Sequence, residues 1–256
     1  MKYFVLSDVH SFFNEMMDAL TRNGFDINDP NHKIILCGDL FDRGPDAVKC
    51  FEFAKQMMEQ GRFFYICGNH ELLLLDCLAD LLAGKIVPQH HFSNGTFDTI
   101  VQFTGVNKYD LYMGLFDRKQ FCEKMQPLVD MINETVNCVE LDDKIFVHGW
   151  LPCNKEMTAI DENWDSDEAN WDSATWVNGI LAWHKGARLP NKTIVCGHWH
   201  CSWGWSHLRL KRKEFPSKNR IDWQKSFEPF VDEGIIAIDS CVAYTGFCNC
   251  IVFEKN

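Results

Sequence analysis

The first 84 residues repeat one arrangement of apolar and polar positions. An apolar, β-rich run is followed by a turn with polar residues and then by a segment with apolar residues at helical spacing. The runs predict strands at residues 3–6, 33–37 and 63–67, and the segments after them predict helices at residues 12–22, 46–59 and 71–82. Such alternation is typical of βαβ units with a parallel sheet, whose ligands gather at the carboxyl ends of the strands.

The pattern changes after this region. Residues 85–127 predict helices and loops, which we interpret as a helical insertion that covers part of the site within a single domain over residues 1–256. Beta character then returns, and apolar runs predict strands at residues 136–141, 144–147, 193–196, 234–238 and 248–253. Several of these runs end in polar residues that we expect at the same edge of the fold.

Composition narrows the class of protein. With 46% hydrophobic and 24% charged residues, the chain resembles an ordinary globular protein, and it has no apolar stretch of the roughly 18 residues that a membrane span needs. The N-terminus lacks the apolar stretch and cleavage site of a signal peptide, so we expect a cytoplasmic protein. The twelve cysteines lie singly without CxxC spacing, which favours reduced, buried thiols, among them Cys37, Cys67 and Cys196.

Charge excludes one group of partners. The formal net charge of -11 argues against attraction to nucleic acid or to an anionic membrane, because a polyanion needs a basic face. The one basic cluster, at residues 209–213, is short, and we interpret it as a solvated strand end or turn.

Metal-binding residue types follow five of the β-like runs. They occur in Asp8-Val9-His10, Gly38-Asp39-Leu40-Phe41-Asp42-Arg43-Gly44, Gly68-Asn69-His70-Glu71, His148-Gly149 and Gly197-His198-Trp199-His200. Any one of these motifs alone is easily explained as a turn or a helix cap. The five in order predict a metal site, and carboxylate oxygen with imidazole nitrogen suits Mn²⁺, Fe or Zn²⁺ better than Ca²⁺.

The five motifs together resemble those of the calcineurin-like metallophosphoesterases. The form Gly-Asp-x-x-Asp-Arg-Gly with Gly-Asn-His-Glu is similar to the phosphoprotein phosphatase branch, which includes serine/threonine phosphatases and diadenosine tetraphosphatases. The segments Val147–Pro152 and Ala237–Ser240 extend the resemblance to the last strand. It implies an α/β fold in which two mixed β-sheets pack as a sandwich flanked by helices.

The resemblance also implies roles for single residues. Asp8 and His10 are expected on a first divalent cation, Asp39 on both cations, and Asn69, His148 and His198 on the second. Manganese is the expected metal, with Fe or Zn²⁺ as alternatives, and a hydroxide held between the cations is the expected nucleophile. Arg43 would bind phosphate through its planar fork. His70 would protonate the leaving oxygen while Asp42 orients its ring.

The sequence departs from the phosphatase branch in two places. Leu181-Ala182-Trp183-His184-Lys185 stands where an arginine is expected, so Lys185 or Arg188 is the candidate for a second phosphate contact. His200 follows the Gly-His-x-His pattern of the wider superfamily, in which the last histidine binds the first metal. The alternative is a histidine of the adjoining loop without a ligand role.

Substrate class is left open by these motifs. Eight of the nine tryptophans lie between Trp150 and Trp205, and we interpret most as packing residues, although an aromatic wall for a nucleobase or an apolar side chain is the alternative. The favoured hypothesis is a serine/threonine-type phosphomonoesterase acting on a phosphopeptide. A dinucleoside polyphosphate hydrolase is the second. A non-catalytic scaffold is the third, and it is disfavoured because no ligand position is substituted.

Overall fold

The computed structural model describes residues 1–166, 168–211 and 223–255. Within these residues nine strands form two mixed sheets, with the orders β3-β2-β1-β9 and β4-β5-β6-β8-β7. The strands are β1 (Lys2–Leu6), β2 (His32–Cys37), β3 (Phe63–Ile66), β4 (Val139–Leu141), β5 (Lys144–Phe146), β6 (Thr193–Cys196), β7 (Phe230–Asp232), β8 (Ile235–Ala237) and β9 (Ile251–Glu254). In each sheet three strands run parallel and the added edge strands run antiparallel.

Helices cover the outer faces of both sheets. The α-helices of the described residues are α1 (Phe13–Arg22), α2 (Ala47–Glu59), α3 (Asn69–Ala83), α4 (His90–Ser93), α5 (Thr96–Thr104), α6 (Lys108–Met113), α7 (Arg118–Asn133), α8 (Trp171–Ala174), α9 (Gly179–Lys185), α10 (Cys201–Gly204) and α11 (Val242–Thr245). A π-helix (Trp205–Leu210) and a 3₁₀ helix (Gln224–Phe227) complete the set. No described helix is long and apolar enough to cross a membrane.

Side-chain alternation explains the layers. Along β1, Phe4 and Leu6 enter a core shared with α1, α2 and α3, whereas Tyr3 and Val5 enter a second core between the two sheets. Successive side chains of a strand point to opposite faces, so a strand buried on both faces is apolar throughout. A third core packs α9 against the second sheet. The result is the predicted two-sheet sandwich flanked by helices.

The predicted strands and helices of the first 84 residues are all present, with ends shifted by one or two residues. The run at 136–141 forms a shorter strand, because Val136 pairs with Ile66 at the edge of the first sheet before β4 begins at Val139 in the second. Strand β7 was not predicted. It is a three-residue edge strand, too short for its pattern to stand out.

Residues 85–127 contain α4, α5, α6 and most of α7, which continues to Asn133. Phe97, Ile100 and Phe121 from these helices are buried in the same core as the first sheet. The helices are therefore packed onto the first sheet's helical layer and share its core.

Two smaller expectations concern the cysteines and the basic cluster. All twelve cysteines are free, and Cys37 and Cys196 are buried, while Cys67 is only partly so. The expectation of a strand end or turn at 209–213 was wrong for Arg209 and Leu210, which end the π-helix. Arg212 and Lys213 lie outside the described residues.

Candidate metal centre

The candidate ligands lie where parallel strands of both sheets end. Asp8 and Asp39 stand two residues after β1 and β2, and Asn69 opens α3 after β3. In the second sheet His148 and His198 occupy the same position after β5 and β6. Backbone bonds join these loops within each sheet, from Asp8 to Gly38 and from Gly197 to His148. The cluster is therefore shared between the two sheets.

The backbone at this edge is strained. Asp8, His10, Asp39, Asp42, Arg43 and His198 all have positive φ, and they are half of the twelve non-glycine residues in that conformation among those described. A non-glycine residue in this region costs on the order of 1–3 kcal/mol, so the surrounding structure must hold it there. Gly38 also has positive φ, and a side chain there would collide with the His148 ring. The contacts of these side chains therefore hold the backbone in its strained conformation.

On one side of the cluster, His10 faces two carboxylates. Its Nε2 lies 3.7 Å from Asp39 Oδ2 and 3.9 Å from Asp8 Oδ1. Its Nδ1 donates to the Phe41 carbonyl at 3.0 Å, which leaves the Nε2 lone pair facing the carboxylates. This second hydrogen bond is the arrangement that orients metal-ligating histidines.

On the other side, His148 shows the same arrangement. Its Nδ1 donates to the Cys37 carbonyl at 2.8 Å, and its Nε2 lies 2.8 Å from Asn69 Oδ1 and 3.3 Å from Asp39 Oδ1. His148 Nε2 and the two side-chain oxygens therefore lie close together, and a cation held between them would be bound by all three. Such nitrogen and oxygen ligands suit a borderline divalent metal. His198 completes this group with Asp39 and His148.

Charges in the site depend on one another. Burial would raise the pKa of Asp39, but His148, His70, His10 and His198 outweigh it and hold this pKa below its usual range. Burial lowers the pKa of His198 to about 3, and burial with the neighbouring Arg43 lowers the pKa of His10. These two histidines are therefore neutral near pH 7, which is the form that binds metal.

The pKa of Asp8 is shifted in the opposite direction to that of Asp39. Burial, followed by the nearby carboxylates of Asp239 and Asp39, raises the pKa of Asp8 well above its usual value. Like charges held close together disfavour ionisation unless a cation compensates them. The Asp8 side accordingly has a surplus of negative charge that a metal ion would neutralise.

Two residues with clear roles in this geometry were not singled out from the sequence. Asp239 is buried and stands two residues after β8, the same position that Asp8 and His198 occupy after their strands. That position was a usable signal. Glu71 accepts hydrogen bonds from the Asp39, Leu40 and Gly68 amides and from the Tyr65 hydroxyl. It fixes the loop that presents Asp39, and its place in the Gly-Asn-His-Glu motif was the only signal.

The His70 side chain is held by a buried carboxylate. Its Nδ1 donates to Asp42 Oδ2 at 2.7 Å, and the Thr96 and Thr99 hydroxyls of α5 donate to the same carboxylate at 3.0 and 2.7 Å. Burial alone would lower the pKa of His70, but Asp39 and Asp42 outweigh it and raise this pKa. The two threonines were not anticipated, because nothing in the sequence pairs them with Asp42.

The Arg43 guanidinium lies between the rings of His10 and His70. It donates to His10 Nε2 at 2.8 Å and to His70 Nε2 at 3.0 Å. Arg43 is exposed, although its backbone packs tightly against Gly95. An exposed guanidinium between a candidate ligand and a candidate acid is placed to bind an oxyanion there.

The structure does not bring Lys185 and Arg188 to this cluster. Helix α9 begins beside Gly149 and ends at Lys185, about 9 Å further along its axis. The Trp183 indole, in the last turn of α9, donates to the Glu233 carbonyl. Glu233 lies in the turn before β8, at the ends of the strands opposite to the candidate ligands. Arg188 donates to the Trp183 carbonyl and stacks on its ring, so it also lies away from the cluster. The phosphate contact expected of Lys185 or Arg188 stays a prediction.

His200 lies two residues beyond His198, at the start of α10. It is in neither of the groups of close metal-ligating atoms that contain Asp39. The tryptophans mostly pack as expected, since Trp150 and Trp183 are buried, but the Trp176 side chain is 49% exposed. Its ring meets the His198 ring edge to face, with centroids 6.0 Å apart.

Comparison with known proteins identifies the family. The chain belongs to the calcineurin-like phosphoesterase family, whose model matches residues 1–226. It is 34% identical over 76 residues to the asymmetrical bis(5'-nucleosyl)-tetraphosphatase of Bacillus velezensis, a match that covers 27% of this chain and 30% of that protein. It is 33% identical over 85 residues to the symmetrical bis(5'-nucleosyl)-tetraphosphatase of Photorhabdus laumondii, covering 33% of this chain and 30% of that protein.

The similarity to these relatives thus covers less than a third of their length. Among solved structures, the cold-active protein-tyrosine phosphatase of a psychrophilic Shewanella species is 16% identical with a TM-score of 0.49, and the alignment covers 100% of this chain and 76% of that one. A serine/threonine phosphatase of Saccharomyces cerevisiae is also 16% identical, with a TM-score of 0.45 over 78% of this chain and 61% of that one.

Proposed function

We propose that this protein is a hydrolase of phosphate esters that uses two divalent cations. The observation that carries the proposal is the convergence of histidine nitrogens and side-chain oxygens around Asp39, whose two carboxylate oxygens face different histidines. Asp8, His10 and Asp39 would hold one cation, and Asp39, Asn69, His148 and His198 the other. When bound, the cations would lower the pKa of a water and neutralise charge on phosphate.

The remaining side chains would act on the substrate itself. Arg43 would turn from the histidines to two phosphate oxygens, where a guanidinium makes a bidentate pair. His70 would donate its Nε2 proton to the leaving oxygen. The Asp42 carboxylate would hold Nδ1 and stabilise the charged ring, in the manner of other oriented histidines.

This acid favours a substrate with a poor leaving group. An alkoxide from a serine or threonine side chain must be protonated as the bond to phosphorus breaks, whereas a nitrophenolate needs little help. We therefore propose a phosphomonoesterase of the serine/threonine type, with manganese as the metal. The buried, fully bonded Asp42–His70 pair supports this choice.

The substitution His70→Asn tests the assignment. It should reduce turnover of a phosphoserine peptide by about 10² to 10⁴-fold and that of an aryl phosphate clearly less. His184→Ala, an exposed histidine elsewhere on the chain, is the matched control. Metal content is measured in parallel. Equal losses on the two substrates with metal retained would remove His70 as the acid, and loss of metal would make it a ligand or structural residue.

A dinucleoside polyphosphate is a second candidate substrate, favoured by a cavity of about 610 Å³ next to the centre. Trp176, which contacts His198, and Trp199 line it together with Lys155. Trp199 Nε1 is buried and makes no hydrogen bond among the described residues. An exposed aromatic face, a free donor and a cation are the features that a nucleobase with phosphates would use. The names of the two bacterial relatives agree with this candidate.

The two candidates separate in one assay. Diadenosine tetraphosphate and a phosphoserine peptide are compared at equal concentration with Mn²⁺, using the unmodified chain and Trp176→Ala. A nucleotide hydrolase should prefer the first substrate by at least about tenfold, and Trp176→Ala should raise its KM, because a stacking partner is worth about 1–3 kcal/mol. Preference for the peptide with no effect of Trp176→Ala would support the phosphomonoesterase.

A further inference from the structure

A second cluster of histidine and carboxylate groups lies away from the candidate metal centre. Asp76 of α3 and the adjacent His90 and His91 of α4 each offer one ligand atom, and these atoms all lie within 4.8 Å of one another. Asn69 opens α3, and Asp76 follows it by seven residues, which is about 10 Å along the helix axis. The cluster is therefore separate from the ligands around Asp39.

His91 is the unusual member of this cluster. Its side chain is fully buried, yet neither ring nitrogen has a hydrogen-bond partner among the described residues. Nε2 lies 3.5 Å from Asp76 Oδ2, close enough for an ion contact but without a hydrogen bond. Buried polar groups are hydrogen-bonded in the great majority of cases, so this ring requires an explanation.

The two histidines of this cluster lie side by side. His90 and His91 have their ring centroids 4.1 Å apart. The unpartnered, buried ring of His91 therefore has a second imidazole and a carboxylate as its nearest metal-ligating neighbours.

We propose that Asp76, His90 and His91 form a third metal site, which binds a divalent transition cation such as Zn²⁺. Two nitrogens and one oxygen are a common three-ligand set for zinc, with water at the fourth position. Tetrahedral bonds of about 2.0–2.1 Å place ligand atoms about 3.3 Å apart. The three ligand atoms now lie up to 4.8 Å apart. Rotation of the Asp76 and His90 side chains, which are exposed, would bring these atoms to the distance that zinc requires.

Such an ion would join two segments that support the proposed catalytic groups. It would tie α3, which begins with Asn69 and His70, to α4 across the connecting residues 84–89. The chain then runs directly into Gly95, packed on Arg43, and Thr96, bonded to Asp42. The site would thus hold α3, which carries the proposed acid His70, against α4, which leads into the residues that support that acid.

Zinc content tests the proposal. The chain and its variants are equilibrated with the same free Zn²⁺, and bound zinc per chain is measured by mass spectrometry. Asp76→Ala and His90→Ala, both at exposed positions, should each bind one zinc ion fewer than the unmodified chain, and His184→Ala should bind the same number as that chain. Because the result is a difference between variants, it does not depend on how many ions the Asp39 centre holds.

A second measurement tests whether the ion stabilises the folded chain by joining α3 and α4. Zinc should raise the melting temperature of the unmodified chain more than that of His90→Ala, since an ion that binds only the folded state stabilises it. Unfolding is followed by circular dichroism, which also verifies that the variants fold. Equal zinc content in all four proteins, or an equal rise in melting temperature with and without His90, would overturn the proposal.

Discussion

The carboxyl edges of the two sheets differ in the chemistry they supply. The first sheet provides the carboxylates Asp8 and Asp39 and one imidazole, His10, and the motifs after its strands carry Arg43 and His70. The second sheet provides the imidazoles of His148 and His198, and behind them the exposed Trp176. In the proposed centre, metal binding would need both edges, whereas Arg43 and His70, the candidates for phosphate binding and proton transfer, both follow strands of the first sheet.

This difference separates three kinds of effect that a substitution can have. A change in a residue shared by both metal positions should remove metal and activity together. A change in the groups that follow the first sheet should reduce activity and leave the metal in place. A change around the second sheet, apart from its histidines, should alter substrate preference most.

The largest effect is expected for Asp39→Asn. Its carboxylate faces both His10 and His148, so both cations or the bridge between them should be lost, with activity reduced by at least about 10³-fold. His200→Ala should lose far less, because His200 would contact at most one cation. Activity and metal content are measured for both. Equal losses in the two variants would contradict a shared Asp39.

Arg43→Ala should reduce activity by about 10²-fold or more with metal retained. Two hydrogen bonds to a charged phosphate are worth roughly 1.5–3 kcal/mol each, and about 1.4 kcal/mol is tenfold in rate. Arg188→Ala is the matched control, because this arginine stacks on Trp183 at the other end of the sheet. It should stay within about twofold in kcat/KM. A large loss with Arg188→Ala would reverse this assignment.

Thr99→Val should reduce activity about 10-fold without loss of metal. The Thr99 hydroxyl donates to the Asp42 carboxylate and accepts from the Asp42 amide, so its removal loosens the partner of His70. Thr104→Val in the same helix is the control, since among the described residues its hydroxyl donates to the Ile100 carbonyl of α5 and accepts from the Val106 amide just after that helix. The comparison uses kcat on a phosphoserine peptide. The same loss in both variants would show only that α5 was destabilised.

The smallest effect is expected for Asp239→Asn. This substitution should increase the stability of the metal-free protein. Removing this charge relieves repulsion with Asp8, so the metal-free protein should melt higher, by about 2–4 °C for each 1 kcal/mol gained. Cation affinity should fall at the same time. Calorimetry without metal and a metal titration report the two effects. A lower melting temperature with unchanged affinity would mean that Asp239 is mainly structural.

Much of the first sheet could be predicted because its signals are local. Each apolar run is directly followed by its own polar motif and helix, so the order Asp8, Asp39, Asn69 is visible along the chain. The same rule extends to the second sheet, where His148, His198 and Asp239 each stand two residues after a parallel strand. Asp239 was missed because only its strand, and not its position, was considered.

The remaining features depend on contacts that no local pattern encodes. Thr96 and Thr99 lie more than fifty residues from Asp42, and neither belongs to a motif. The position of Arg188 has the same origin. It lies close to the motifs along the sequence, but α9 runs toward the opposite ends of the strands. Similarly, His90 and His91 stand in a segment whose pattern predicted helices and loops only.

The most direct test of the shared centre is a crystal structure of the manganese-loaded protein with anomalous scattering measured at the manganese edge. We expect two peaks about 3.5–4 Å apart at the meeting point of the two sheets. Asp39 should contact both, with Asp8 and His10 on one and Asn69, His148 and His198 on the other. A single peak, or two peaks of which Asp39 contacts only one, would contradict the account.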